Sequence, residues 1–197
     1  MCCFSDDSEY MKKNIDKIHD THKNIDIELK QSNNQLSDSN DVSNIKVCHS
    51  QFSRIGYKGD FLWEIKQNIE PKTLYIFNDN ENDHPTAVRG GGNAVIRPFN
   101  RHGYKEKGIM YPRSAGISTG DYRGGYQLLS RDVKEHIDEC IKEIKSLLST
   151  GNYDTIKYSS CDDRGSLGTG IFRVCEDVKE YIVDELKSLK EYNICLK

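Results

Sequence analysis

The stretch that most narrows the fold runs Leu74-Tyr-Ile-Phe-Asn-Asp-Asn80, then a short polar loop, then Arg89-Gly-Gly-Gly-Asn-Ala-Val-Ile-Arg97. Its apolar half, rich in aromatic and β-branched residues, has the length and residue types of a buried strand. A triple glycine and a helix start follow. Strand, loop, glycine turn and helix in that order belong to α/β proteins. Bare backbone N–H groups meet the positive end of a helix there, and an anionic group fits. Arg89 and Arg97 flank the turn and suit a phosphate.

The same unit recurs twice. Ser114-Ala-Gly-Ile-Ser-Thr-Gly120 reads as a second strand, and Asp121-Tyr-Arg-Gly-Gly125 continues its loop. Ser130 or Asp132 caps the next helix. That helix has apolar residues at helical period, from Val133, Ile137 and Cys140 to Leu148, and Gly151 ends it. Tyr153 to Tyr158 alternates like a strand with one exposed face. Ser159 to Gly170 is a third polar, glycine-bearing loop, after which Ile171 and Phe172 are expected to return to the core. Glu176 or Asp177 opens a last helix. Three such units predict a three-layer α/β domain with a mostly parallel central sheet. The loops after the strands' carboxyl ends then gather on one edge, where ligands bind.

Composition divides the chain before these units begin. Residues 31–46 are almost wholly Ser, Asn, Asp and Gln, which reads as a linker with little to bury. The expected boundary lies near Val47, with an N-terminal arm over 1–46 and the α/β domain over 47–197, its globular part beginning around Phe52. Within the arm, Met11, Ile15, Ile18, His22, Ile25 and Leu29 recur at steps of four and three, a heptad seam over residues 9–30. It reads either as a small coiled coil or docking helix that makes a homo-oligomer, or as a frayed or disordered helix or an arm lying on the domain.

Smaller features complete the chain. Phe61, Leu62, Trp63 and Ile65 suggest a short helix with its apolar side inward, Trp63 packing in the core, and Pro71 stops it. The helix after the triple glycine meets Pro98 and is expected to be short. Arg101, His102, Lys105 and Lys107 make a basic loop, read as solvated, with a charged lid over the site as the alternative.

Charge and cysteine usage exclude several functions. The chain carries 28 Lys and Arg against 31 Asp and Glu, a net charge of −3, without the basic surplus of a dedicated nucleic-acid binder. Seven cysteines, an odd number with no C-x-x-C pair, read as reduced thiols in a cytoplasmic setting. No cysteine–histidine spacing suits a metal, and no cofactor is expected. No apolar run approaches the roughly twenty residues of a membrane helix. Asp6, Asp7 and Glu9, with no apolar core beside them, do not read as a secretory leader.

Two families resemble this pattern. The macrodomain, an ADP-ribose-binding module, typically carries Asn-Ala-Ala-Asn, a spacer, Gly-Gly-Gly and a helix. Asn78-Asp-Asn80 with Gly90-Gly-Gly92-Asn-Ala-Val-Ile96 looks like that loop, one residue shorter in its asparagine motif. Ile117-Ser-Thr-Gly120-Asp-Tyr122 is similar to the macrodomain's second loop. A set of phage and large-virus proteins of macrodomain-like pattern is similar over a longer span. It shares Phe77-Asn-Asp-Asn80, Gly116-Ile-Ser-Thr119 and Leu167-Gly-Thr-Gly170, across roughly residues 70 to 190. The resemblance implies a macro-like fold, located in the host cytoplasm if the chain is viral. It also implies a small-molecule nucleotide as ligand, ADP-ribose or a related diphosphate.

The expected binding residues are then Asn78 and Asn80 on ribose hydroxyls, and Gly90, Gly91, Gly92 and Asn93 on the diphosphate. Ser118, Thr119 and Gly120 join them, with Gly168, Thr169 and Gly170 from the third loop. No adenine-recognising aspartate is assigned near the domain's start, where Asp60 is available. Asp79 is the candidate catalytic carboxylate for orienting a water, and a turn-capping side chain is its alternative. Asp162 or Asp163 is a second candidate. Cys161 reads as a buried thiol rather than a nucleophile. A structural protein that has lost its ligand and assembles through residues 9–30 remains the alternative function.

Overall fold

The computed structural model describes residues 43–52, 55–100, 108–170, 172–191 and 193–194. The heptad seam of residues 9–30, the basic loop around Arg101 to Lys107 and Ile171 lie outside the described residues. Contacts between residues divide the chain into Met1–Asp41 and Val42–Lys197, and the fold below is that of the second unit.

Five strands form one sheet in the order β2-β6-β3-β4-β5. β3 (Thr73–Asn80), β4 (Ser114–Asp121) and β6 (Thr155–Ser160) are the three expected strands. They run parallel, with β3 in the centre. β2 (Lys46–Gln51) adds a further parallel strand beside β6, and β5 (Gly124–Gly125) folds back antiparallel on β4. A separate short pair joins β1 (Ser43–Asn44) to β7 (Asn193–Ile194). The polar stretch expected to be linker through residue 46 therefore ends earlier. Ile45 is 2% exposed and packs in the main core.

β3 shows why the strand at the sheet's centre reads as a continuous apolar run. Thr73 to Phe77 are all buried, because both faces of the sheet are covered. Leu74 and Ile76 enter one cluster with Ile137, Ile141 and Ile144 of α2 (Arg131–Leu148) and Val178 and Ile182 of α3 (Glu176–Ser188). Tyr75 and Phe77 enter a second cluster with Phe61 and Ile65 of α1 (Phe61–Gln67) and with Val95 and Ile96. Val95 and Ile96 sit in a 3-10 helix, Gly92–Phe99, that includes Pro98. A 3-10 coil suits a short segment that includes a proline, whose missing N–H and ring disfavour regular α-helical bonding. Each buried aliphatic side chain contributes about 2 kcal/mol of transfer free energy.

Helix ends follow local rules. Ser130, in extended backbone, caps α2 by accepting from Val133 N–H at 3.3 Å. Asp60 caps α1 from the buried side, accepting from Gly56 and Trp63 N–H. Asp60 is therefore a helix cap, not a residue free for an adenine. Gly151, at φ 74°, follows the α2 C-cap Ser149. Phe172 corrects a further expectation. It is 54% exposed, and Arg173 beside it is exposed as well, before Val174 turns inward. Among the described residues, no helix is long and apolar enough to cross a membrane.

Candidate functional site

Loops leave the carboxyl ends of β3, β4 and β6 and meet around one pocket of about 500 Å³. The β3 end and its loop bring Asn78, Asp79, Asn80, Gly90, Gly91, Gly92 and Asn93 to its lining. β4 and its loop bring Thr119, Gly120 and Asp121, and β6 and its loop bring Cys161, Gly168, Thr169, Gly170 and Phe172. Gln51 and Phe52, at the end of β2, add a wall that the sequence did not suggest. This is where parallel sheets place ligand sites, because strand ends and helix starts meet there. Every residue expected to bind lines the pocket except Ser118.

The glycine turn leaves donors available. Gly92 sits at φ 55°, a left-handed conformation that glycine takes without steric cost. Among the described residues, no acceptor meets the N–H groups of Gly91, Gly92 or Asn93, nor those of Thr169 and Gly170. Asn78 fastens the turn and the third loop together. Its backbone N–H donates to Asn93 Oδ1 at 3.2 Å, and its side-chain Nδ2 donates to the Gly168 carbonyl at 2.5 Å. Asn80 Oδ1 accepts from Asn82 N–H and shapes the turn after β3.

Beneath the turn lies a buried ion pair. Arg97 donates from Nε and Nη2 to Asp79 Oδ1 at 2.9 and 2.5 Å, and from Nη1 to the Val88 carbonyl at 2.8 Å. The Arg97 side chain is 3% exposed and that of Asp79 is fully buried. Asp79 Oδ2 lies 3.1 Å from His84 Nδ1. Both carboxylate oxygens are thus engaged, so Asp79 holds Arg97 and His84 rather than standing free toward a water. Gly116 makes room for it, since a Cβ there would lie 2.5 Å from Asp79 Oδ2. Arg97 lines the pocket, whereas Arg89 is exposed and does not.

Ser118 points elsewhere because β4 carries an irregularity. Asp79 pairs with Ser118, but Asn80 pairs with Gly120, so Thr119 is an extra residue. Bulges of this kind re-aim side chains. Ser118 Oγ lies 3.6 Å from Cys140 Sγ on α2, in a second cleft of about 280 Å³, while Thr119 stays with the pocket. That cleft also contains His84 and Glu143, whose Nε2 and Oε2 are 3.0 Å apart. Asp79 raises the His84 pKa above the usual imidazole value, against an opposing effect of burial, and Glu143 adds to the rise. Sequence reasoning passed over His84, whose one signal was its place five residues after Asp79.

The third loop is held by its own aspartate. Asp162 accepts from Ser166 N–H and Oγ and from Arg164 N–H, at 2.8 to 3.0 Å, which holds its carboxyl down to about 2. Asp163 accepts from Gln51 Nε2 at 2.7 Å and does not line the pocket. Neither stands as a free base over the site. Cys161 is exposed at the pocket's edge, not buried as its sequence context suggested.

Among the described residues, no group of three or more His, Cys, Asp or Glu side chains is placed to hold a metal ion. No family model matches this chain, and neither the curated proteins nor the solved structures contain a match to it.

Proposed function

We propose that the pocket binds ADP-ribose or a related nucleotide diphosphate, and that the domain is a three-layer, macro-like α/β module. The observation that carries this reading is the meeting of three glycine-bearing strand-end loops on a single pocket. Its volume lies within the range of sites for small ligands of this size. The free N–H groups of Gly91, Gly92 and Asn93 suit a diphosphate. The motifs Asn78-Asp-Asn80, Gly90-Gly-Gly92 and Gly116-Ile-Ser-Thr119 supply the resemblance to ADP-ribose binders. Asp79 acts as a positioning residue for Arg97, so binding is favoured over hydrolysis.

Calorimetric titration of the full chain with ADP-ribose tests this, with ADP and NAD as comparators. Binding of ADP-ribose in the micromolar range is expected. Gly91 is exposed and extended at φ −84°, so Gly91→Glu leaves the fold intact while placing a carboxylate among the donors. That variant is expected to lose binding. No heat from any of the three ligands would overturn the reading.

A further inference from the structure

A chain of charges connects the pocket to the second cleft. Arg97 lines the pocket and is held by Asp79 Oδ1. Asp79 Oδ2 is 3.1 Å from His84 Nδ1, and His84 Nε2 is 3.0 Å from Glu143 Oε2 on α2. With a neutral imidazole, the Asp79 carboxylate offsets the Arg97 guanidinium and the buried pair carries no net charge. With a protonated imidazole, the same carboxylate faces two cations, and the Arg97–Asp79–His84 trio gains one positive charge beside the glycine turn. A buried charge is weakly screened, so that difference reaches an anion in the pocket.

We propose that protonation of His84 is coupled through Asp79 to the positive charge of Arg97, so that the pocket binds an anionic ligand more tightly when His84 is protonated. The coupling works in both directions: an anion in the pocket draws a proton onto His84. The ligand class, a nucleotide diphosphate, rests on the function proposed above. The coupling itself rests only on the side-chain geometry.

The surroundings of His84 favour such a switch. From α2 the cleft is lined by Glu143, Glu139, His136 and Cys140, and from the segment after β3 by Glu81. Glu81 is already engaged, lying 2.8 Å from His136 Nδ1 and accepting from the Tyr126 hydroxyl at 2.6 Å. Burial pushes the Cys140 thiol up, which keeps it neutral. Glu139 and Glu143 add negative potential that favours the imidazolium. On the pocket side, Asp83 Oδ2 lies 3.5 Å from Arg97 Nη1 but is 56% exposed, so water screens it more than it does Asp79. The His84 pKa is raised above the ordinary imidazole value, which brings the change of charge toward neutral pH.

The experiment titrates ADP-ribose into the full chain at a series of pH values from about 6 to about 9. A diphosphate diester keeps its charge over that range, so any pH dependence belongs to the protein. Affinity of the unaltered chain is expected to weaken roughly fivefold across the series, the low end of ordinary site coupling. His84→Gln is expected to flatten the profile. Glu143→Gln, a surface change that leaves the fold intact, is expected to move its midpoint to lower pH.

A second readout needs no ligand. The His84 ring resonances should titrate at lower pH in Glu143→Gln and at higher pH in Arg97→Gln. If Arg97→Gln fails to fold, Glu143→Gln alone still decides. A His84→Gln profile as steep as the unaltered one, or a His84 midpoint unmoved by the substitutions, overturns the coupling. Shifted midpoints with no heat from ADP-ribose at any pH would sink the nucleotide reading and leave the coupling in place.

Discussion

Asp79 shows how a residue type that invites a catalytic reading is used otherwise. From sequence, a carboxylate at a strand end before a glycine turn reads as a base or, more readily, as a turn cap. In the structure its two oxygens hold Arg97 and His84, Oδ1 also accepts from the Asn80 N–H at 2.9 Å, and its side chain lies fully buried against Gly116. No spacing rule announces that pairing, because Arg97 is eighteen positions away and reaches back only after the glycine turn has reversed the chain. Removing the charge leaves a buried guanidinium uncompensated. Asp79→Asn is therefore expected to cost about 3 kcal/mol of stability, the lower end for breaking a buried pair from one side. Urea denaturation measures this, and a cost under about 1 kcal/mol would mean that water or a neighbour replaces the carboxylate.

At the scale of elements, legibility followed burial. β3 was readable as a continuous apolar run, β6 by its alternation and α2 by its helical period, whereas β4 was marked by its place before a small-residue loop. β2 was not. Lys46-Val-Cys-His-Ser-Gln51 is an edge strand whose positions are all exposed or only half-buried, and it follows a run of Ser, Asn and Asp that reads as linker. One isoleucine in that run, Ile45, carries the packing. Ile45→Ala is accordingly expected to destabilise the chain by about 3 kcal/mol through lost transfer energy and a residual cavity. Thermal or urea unfolding would show it, and a change within about 0.5 kcal/mol would restore the linker reading. The irregular register between β3 and β4 was equally hidden. Ile117-Ser-Thr-Gly120 gives no sign that Thr119 is the extra residue, yet that one insertion leaves Ser118 against α2 and Thr119 on the pocket.

At the scale of the whole molecule, among the described residues, Asp162, Asp121 and His84 have shifted ionisation on the acid and neutral side, and they bear on the pH range over which the fold is most stable. Asp162, held down to about 2, and Asp121, lowered by Arg123, contribute stability above the ordinary carboxylate range and lose it as pH falls toward their folded values. His84 has the opposite sign. Its pKa is raised in the folded chain, so its contribution is complete below the ordinary imidazole value near 6.5 and disappears as pH rises through the folded value. The two trends leave a plateau on the acid side of neutrality, between about pH 4 and about pH 6.5. A calorimetric series of melting temperatures is expected to show that plateau and a decline above it. His84→Gln should remove the alkaline decline while leaving the acid limb unchanged, since Asp162 and Asp121 lie outside the Arg97–Asp79–His84–Glu143 chain. Each kcal/mol lost should lower the melting temperature by about 2–4 °C for a chain of this length. A decline that persists in His84→Gln would assign it to another group and remove the imidazole from the stability of the fold.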